Sequence, residues 1–441
     1  MQVLTDIFHA INNVLWGSVM VIVLLGTGCY LTIRLRFLQV FKMPAMIKQV
    51  VGPLFKKNER QPSGMTSFQA LATSIAAQVG TGNLAGVATA IASGGPGSIV
   101  WMWISSFLGM ATIFSEAVLA QLFKVKSGNQ AYGGPAFYIS MGLNQRWLAG
   151  FFAVAVVLAL GLIGNMVQSN SIAAAFSTAF PIRSSTIGIL LVVFVGLIIF
   201  GGVNRIASVA EKVIPFMALF YIIGCIVILV MHVDALLPGI RLMINDAFSS
   251  EAAGGGLLGA TVKEAIRYGI SRGLFTNEAG MGSTPHAHAA ADVNHPVEQG
   301  FVAMLGVLID TLLICTLTAL VIISTGAFTT DETSIALTQE GFMRGFGAFG
   351  QYFIAISLLF FSFTTILGWY YYGETNVRFL FGNRTVLYRC LVLGFVFIGT
   401  QLKIGLVWEI ADTLNAFMIL PNVMALLALS GLVAKTLKSY R

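Results

Sequence analysis

The sequence predicts an all-α polytopic membrane protein of about eleven transmembrane helices, one N-terminal helix plus a 5+5 inverted-repeat core with two broken helices. Three observations predict it. The 441 residues are 57% hydrophobic and only 10% charged, with a mean hydropathy of +0.85, a composition that no soluble domain of this length sustains. A series of stretches approaches the ~20 apolar residues that cross a hydrocarbon core of about 30 Å. Two of those stretches are interrupted near their middle, and each opens a set of five.

In chain order the stretches are 14–33, 66–92, 97–123, 148–172, 186–203, 213–231, 256–284, 299–325, 345–373, 390–402 and 410–434. The first has no basic segment before it and no small-residue cleavage site after it, so it reads as a retained helix and not as a signal peptide. The polar stretches 34–65 and 326–344 are loop-sized, and no soluble second domain is visible. Of the 25 Lys and Arg residues, roughly eighteen fall in one set of alternate loops and the C-terminal tail, including Arg34, Arg36, Lys124, Arg205, Arg378 and Arg441; Arg183, Arg241, Arg344 and Lys403 lie in the other set. That asymmetry places the N-terminus outside and the C-terminus in the cytoplasm. The net charge of +7 is thereby a topology signal, and nucleic acid is not needed to explain it. Cys29, Cys225, Cys315 and Cys390 lie in four different apolar segments without ligand spacing and read as packing residues.

The second stretch, "SFQALATSIAAQVGTGNLAGVATAIASGG" (67–95), places Gln78, Gly80, Thr81, Gly82 and Asn83 at its centre. The seventh, "TVKEAIRYGISRGLFTNEAGMGSTP", surrounds Phe275, Thr276 and Asn277 with Gly269, Gly273, Gly280 and Gly282. Five spans separate their starting points, and an odd number per set inverts the second set relative to the first. The predicted organisation is 1–65 as N-terminal helix and basic connection, 66–231 as the first repeat, and 232–441 as the second repeat with a short tail. Unpaired backbone groups inside a bilayer are expensive, so a break implies something polar at the gap. The half-helix starting near Thr81 directs free N–H groups and its positive dipole end there, which suits a carboxylate. The half-helix ending at Ala76 to Val79 exposes carbonyls, which suit a cation. A zwitterion with a small cation satisfies both.

Several stretches resemble one family of prokaryotic transporters. "VGTGNLAGVATAIASGGPGSIVWMWISSFLGMATIFSEAVLAQLF" (79–123), "GGPAFYI" (133–139), "SRGLFTNEAGMGSTPHAHAAA" (271–291) and "GWYYYGE" (368–374) look like the signature regions of the alanine or glycine:cation symporters. That family is similar in fold to the leucine-transporter type of sodium symporter. The resemblance implies sodium-coupled symport of alanine or glycine across the prokaryotic inner membrane, with Na+ as coupling ion and no cofactor. By the same resemblance, sodium takes backbone carbonyls of Ala76 and Val79 and, from the eighth core helix, Phe361 and the hydroxyls of Thr364 and Thr365. Oxygen ligands without a dedicated carboxylate suit a monovalent cation. Asn83 is the candidate for a second sodium against the substrate carboxylate.

For the amino acid, Thr81 and Gly82 offer N–H groups to its carboxylate. Carbonyls near Gly273 and Phe275 and the side chain of Gln168 face its ammonium group. Phe275, Met281 and Trp369 are the bulky side chains available to limit the pocket. Asp310 and Glu116 are intramembrane carboxylates, candidates for coupling or for structural pairing. The other classes explain less: a proton-coupled carrier shares most of these features, a channel needs a filter ring that is not seen, and an enzyme needs a nucleophile and base or a metal set. His286, His288 and His295 alone suggest a metal, without the helix-spaced HExxH pattern.

Overall fold

The computed structural model describes residues 2–54, 65–127, 130–248, 262–402 and 404–440. Lys403 and Arg441, used above for orientation, lie outside the described residues, as do Lys56, Lys57 and Arg60 of the same basic loop set and the predicted start of the seventh segment at 256–261.

Seven described helices are long and apolar enough to cross a membrane: Asp6–Arg34, Ser98–Leu122, Arg146–Ala179, Val203–Met231, Pro296–Ser324, Phe349–Phe381 and Val407–Ser439. The pair Ser67–Gln78 and Gly82–Gly94, bent by 49°, makes an eighth if taken as one span. The predicted eleven is not reached by this measure. Ser184–Ile199 and Val386–Gly399 have 16 and 14 residues, short of the ~20 that span a bilayer, and the seventh segment is divided into Val262–Asn277 and Pro285–Ala289.

The two stretches read as loops also differ. Residues 38–41 and 43–54 are helical, and Ser334–Phe346 forms a helix that sits on the second half of the first broken segment: Thr338 Oγ1 donates to the Leu84 carbonyl at 3.0 Å. A further helix, Val233–Phe248, follows the span Val203–Met231. These pieces are shorter and more polar than a span, so a search for long apolar runs passes over them. A short antiparallel hairpin, Val125–Ser127 with Gln130–Tyr132, is the one sheet among the described residues.

Burial separates an outer shell from a centre. Along Val203–Met231 the exposed residues Phe216, Leu219, Ile223, Ile226 and Val230 recur at three- and four-residue steps, the stripe that one face of a helix presents to lipid. Phe349–Phe381 is the opposite case. From Thr364 to Val377 it is buried without interruption, so its polar side chains depend on partners inside the protein, in their own helix or in neighbouring ones.

Local sequence explains where the first broken segment starts and stops. Thr66 and Gln69 form a reciprocal capping box, with both bonds at 3.1 Å, which opens the helix. Val79 takes an extended conformation (φ −81°, ψ 90°) and ends it. The chain restarts as a widened turn, Gly82–Gly86, continues to Gly94, and stops at Gly95 with φ 74° and ψ 171°, a positive-φ conformation that glycine adopts without penalty. In the second broken segment, Glu278, Gly280 and Gly282 have φ of 59°, 96° and 79°; three left-handed residues so close together prevent any helix from continuing.

Candidate functional site

The two breaks lie against each other. A Cβ added to Gly82 would stand 2.9 Å from Thr276 Cβ and 3.1 Å from its Cα, so glycine here sets the approach of one broken helix to the other. Gln78 Nε2 donates to the Asn277 carbonyl at 2.7 Å, taking up an acceptor that the end of the helix leaves free.

Several other backbone groups at the gaps are also taken up by side chains. Thr365 Oγ1 lies 3.0 Å from the Ala76 carbonyl, 3.3 Å from that of Val79 and 3.1 Å from that of Phe361. Gly80 N–H donates to Asn83 Oδ1 at 2.9 Å. Thr81 N–H and Oγ1 both donate to Gln168 Oε1, at 3.0 and 2.8 Å, and Thr81 Oγ1 also meets Ser362 Oγ at 2.8 Å. On the second broken segment, Gly280 and Gly282 donate to the two oxygens of Glu116 at 3.3 and 2.9 Å. Asn422 Nδ2 completes this group with bonds to Glu116 and to the Gly280 carbonyl, and Tyr138 donates to Asn422 Oδ1. Glu116 therefore satisfies the freed backbone of the break, the structural alternative for that carboxylate.

Ala76, Val79, Phe361 and Thr365 thus share one oxygen-rich point, and Thr81, Gln168 and Ser362 share the next. Thr364 touches the first point through Phe361 alone: its hydroxyl bonds the carbonyls of Phe360 and Phe361 at 3.0 and 2.9 Å and approaches Met217 Sδ at 3.7 Å. Phe275 packs edge-on against Trp369, with ring centroids 5.6 Å apart, and lies 4.7 Å from Trp408. Gly273 faces the helix Ser98–Leu122, where an added Cβ would lie 3.0 Å from Ser105 Oγ and 3.1 Å from Met102 Cγ. Met281 is buried, and its N–H bonds the Glu278 carbonyl at 3.1 Å.

Asn83 joins a third group. Its Nδ2 donates to Asp310 Oδ1 at 2.6 Å. Thr276 Oγ1 reaches the same carboxylate at 2.9 and 3.1 Å, and Thr311 Oγ1 at 2.9 Å. All of these side chains are buried, and every partner named is neutral. Asp310 was legible only as a mid-span carboxylate, because Asn83 and Thr276, two of its three partners, come from the two broken segments. Ser362, three residues before Thr365, could have been found from helical spacing alone.

A buried ion pair closes the far end of the Phe275 stack. Arg272 donates to Asp412 through both terminal nitrogens, at 3.1 and 2.8 Å, and its guanidinium lies 4.7 Å from the Trp408 ring. Trp16 of the N-terminal helix donates to the Asp412 carbonyl at 3.1 Å. Among the described residues no group of three or more His, Cys, Asp and Glu is placed to hold a metal.

Comparison with known proteins agrees with this architecture. A family model described as the sodium:alanine symporter family matches residues 1–441. The chain is 40% identical to the sodium/alanine symporter AgcS of Methanococcus maripaludis, over 99% of this chain and 97% of that one. It is 43% identical to the probable sodium/glutamine symporter GlnT of Bacillus subtilis, over 100% and 91%. Among solved structures, a manganese transporter from Eremococcus coleocola aligns with a TM-score of 0.55 at 15% identity, covering 83% of this chain and 78% of that one, a likeness of fold alone.

Proposed function

The chain belongs to the sodium:alanine symporter family, and from that premise we propose that it carries alanine or glycine into the cell together with sodium by alternating access. Proteins of this family are transporters and not enzymes. The observation that carries the proposal is the convergence of the Ala76, Val79 and Phe361 carbonyls on Thr365 Oγ1 within 3.3 Å. Three carbonyls and a hydroxyl in a buried setting form a hard, neutral oxygen cage, which suits a monovalent cation. Thr364, one residue earlier, shares the Phe361 carbonyl and borders this cage.

The amino acid binds beside it. Its carboxylate takes the Thr81 and Gly82 N–H groups, displacing the Gln168 amide oxygen from Thr81. The released oxygen then accepts from the ammonium group, alongside carbonyls near Gly273 and Phe275. Phe275, Met281 and Trp369 limit the side chain. A second sodium lies at Asn83, where Asp310 supplies a negative charge, Thr276 and Thr311 supply oxygens, and the substrate carboxylate completes the shell. A proton at this second position is the alternative reading, favoured by the Asp310 carboxylate.

The working parts are residues 66–231 and 232–441 as inverted repeats, with 1–65 as an added helix and connection. The chain sits in the inner membrane with its C-terminus in the cytoplasm. One sodium ion moving down a tenfold gradient and ~100 mV releases roughly 3.7 kcal/mol, enough to concentrate a neutral amino acid several hundredfold. Radiolabelled alanine uptake into proteoliposomes tests the proposal. Concentrative uptake that needs an inward sodium gradient is expected, and uptake indifferent to sodium would remove it.

A further inference from the structure

We infer that Glu278 is a positioning residue for substrate selection: its carboxylate holds the indole of Trp369 in place as a wall of the amino-acid pocket. The inference rests on the pocket role of Trp369 proposed above.

Glu278 is the first residue after the helix Val262–Asn277 and is fully buried. One carboxylate oxygen accepts the Trp369 indole N–H, and the other accepts the Ser283 hydroxyl at 2.7 Å. A single side chain therefore crosses the second break, from its near end to Ser283, and also reaches the helix Phe349–Phe381. Glu278 takes part in no ion pair among the described residues. A buried carboxylate without a cation is a poor choice for stability, since an apolar residue of similar size fills space at lower cost. Its backbone is also left-handed, at φ 59°, a conformation that costs a non-glycine residue about 1 kcal/mol or more. What the carboxylate supplies, and an apolar residue does not, is an acceptor at a fixed point.

The rest of the indole is confined by packing alone. A Cβ on Gly164 would lie 2.6 Å from Trp369 Cζ3 and 2.7 Å from Cε3, so the ring rests on bare backbone, one turn before Gln168. Phe275 meets it edge-on, with 86° between the ring planes. These contacts set where the ring plane lies, while the bond to Glu278 sets its rotation within that slot. Because Trp369 follows Thr365 by one turn, its position decides how much space remains beside the ion site. Because Glu278 belongs to the second break, that space is tied to the conformation of the break.

The test is competition against radiolabelled alanine uptake by glycine, alanine, valine and methionine in proteoliposomes holding the full chain. Trp369→Phe and Glu278→Leu each shift competition toward valine and methionine by about tenfold, the scale of one lost hydrogen bond to a charged group. The double variant shifts no further than either single one. Glu278→Gln keeps the original profile, since its amide oxygen still accepts from the indole. Glu278→Met, which keeps the length and removes the acceptor, carries the same expectation if the leucine variant fails to fold. A shift in Trp369→Phe with none in Glu278→Leu or Glu278→Met overturns the positioning role and leaves the pocket standing. Additive shifts in the double variant overturn it as well. An unchanged profile in Trp369→Phe overturns the pocket assignment, and this inference with it.

Discussion

Thr365 and Ala76 stand 289 positions apart in the chain, yet the Thr365 hydroxyl meets the Ala76 carbonyl at 3.0 Å. The contact joins the end of the first half-helix to the middle of the buried helix Phe349–Phe381, at the point where the Val79 and Phe361 carbonyls also converge.

Replacing that hydroxyl separates ion binding from folding. Thr365→Ala is expected to raise the sodium concentration for half-maximal uptake by about tenfold or more, the loss of one strong oxygen contact, while Thr365→Ser stays near the parent. Thr364→Ala should be milder, because the Thr364 hydroxyl is spent on carbonyls of its own helix and on Met217. Sodium titrations of alanine uptake distinguish the three variants, and equal sodium dependence in Thr365→Ala and the parent contradicts the ion cage.

Gln168 supplies the acceptor for two donors of Thr81. Gln168→Leu strips the Thr81 N–H of its acceptor in the empty site, while the Thr81 hydroxyl keeps Ser362, and it removes the oxygen meant for the ammonium group, a charge-assisted bond whose loss weakens binding. Alanine affinity should fall at least about tenfold while the sodium dependence changes less. Equilibrium binding of labelled alanine to purified protein, at fixed sodium, measures it.

Two glycines close in sequence carry opposite expectations. Gly82→Ala forces a Cβ to within 2.9 Å of Thr276 and pushes the breaks apart, so uptake is lost and the unfolding temperature drops. Gly86→Ala meets nothing nearer than the Thr81 carbonyl at 4.0 Å and should be close to neutral. Uptake and thermal unfolding of the two variants, side by side, check the contrast.

Arg272 and Asp412 form a pair with both partners largely buried. Removing either alone strands a charge and should cost about 3–5 kcal/mol. The double replacement Arg272→Met with Asp412→Leu should be less damaging than either single one. Thermal stability in detergent of all three variants gives the comparison, and equal losses in single and double variants would mean that the pair is not coupled.

Features carried by one short run of residues were legible. The first break announces itself through Gly80, Thr81, Gly82 and Asn83, and the hydroxyl at 365 through its place on a long apolar helix. Groups assembled from distant helices were not legible. Nothing near Glu116 indicates that its carboxylate caps Gly280 and Gly282, 164 and 166 residues away, nor that Asn422, a further long step along the chain, shares it. Thr364 shows the same limit within a single pair. Two adjacent hydroxyls on a helix point about 100° apart, and only the neighbouring helices decide which one meets the break. The helices Val233–Phe248 and Ser334–Phe346 were missed because they are too short and too polar for a search that weights length and apolarity.

The arrangement of backbone partners at the breaks has a consequence for biogenesis. When the ribosome delivers residues 67–94 to the bilayer, the hydroxyl of Thr365, the amide of Gln168 and the second broken segment have not yet been made. The gap at Val79 to Thr81 must enter lipid, or wait beside the translocon, with its peptide groups hydrated or borrowing partners. Assembly then runs backward along the chain: late helices complete early ones, and the first break acquires its final bonds only after the ninth predicted span has inserted. A nascent chain truncated before Phe349 should be held by insertion chaperones or degraded, although its long helices Ser98–Leu122, Arg146–Ala179, Val203–Met231 and Pro296–Ser324 are each apolar enough to stay.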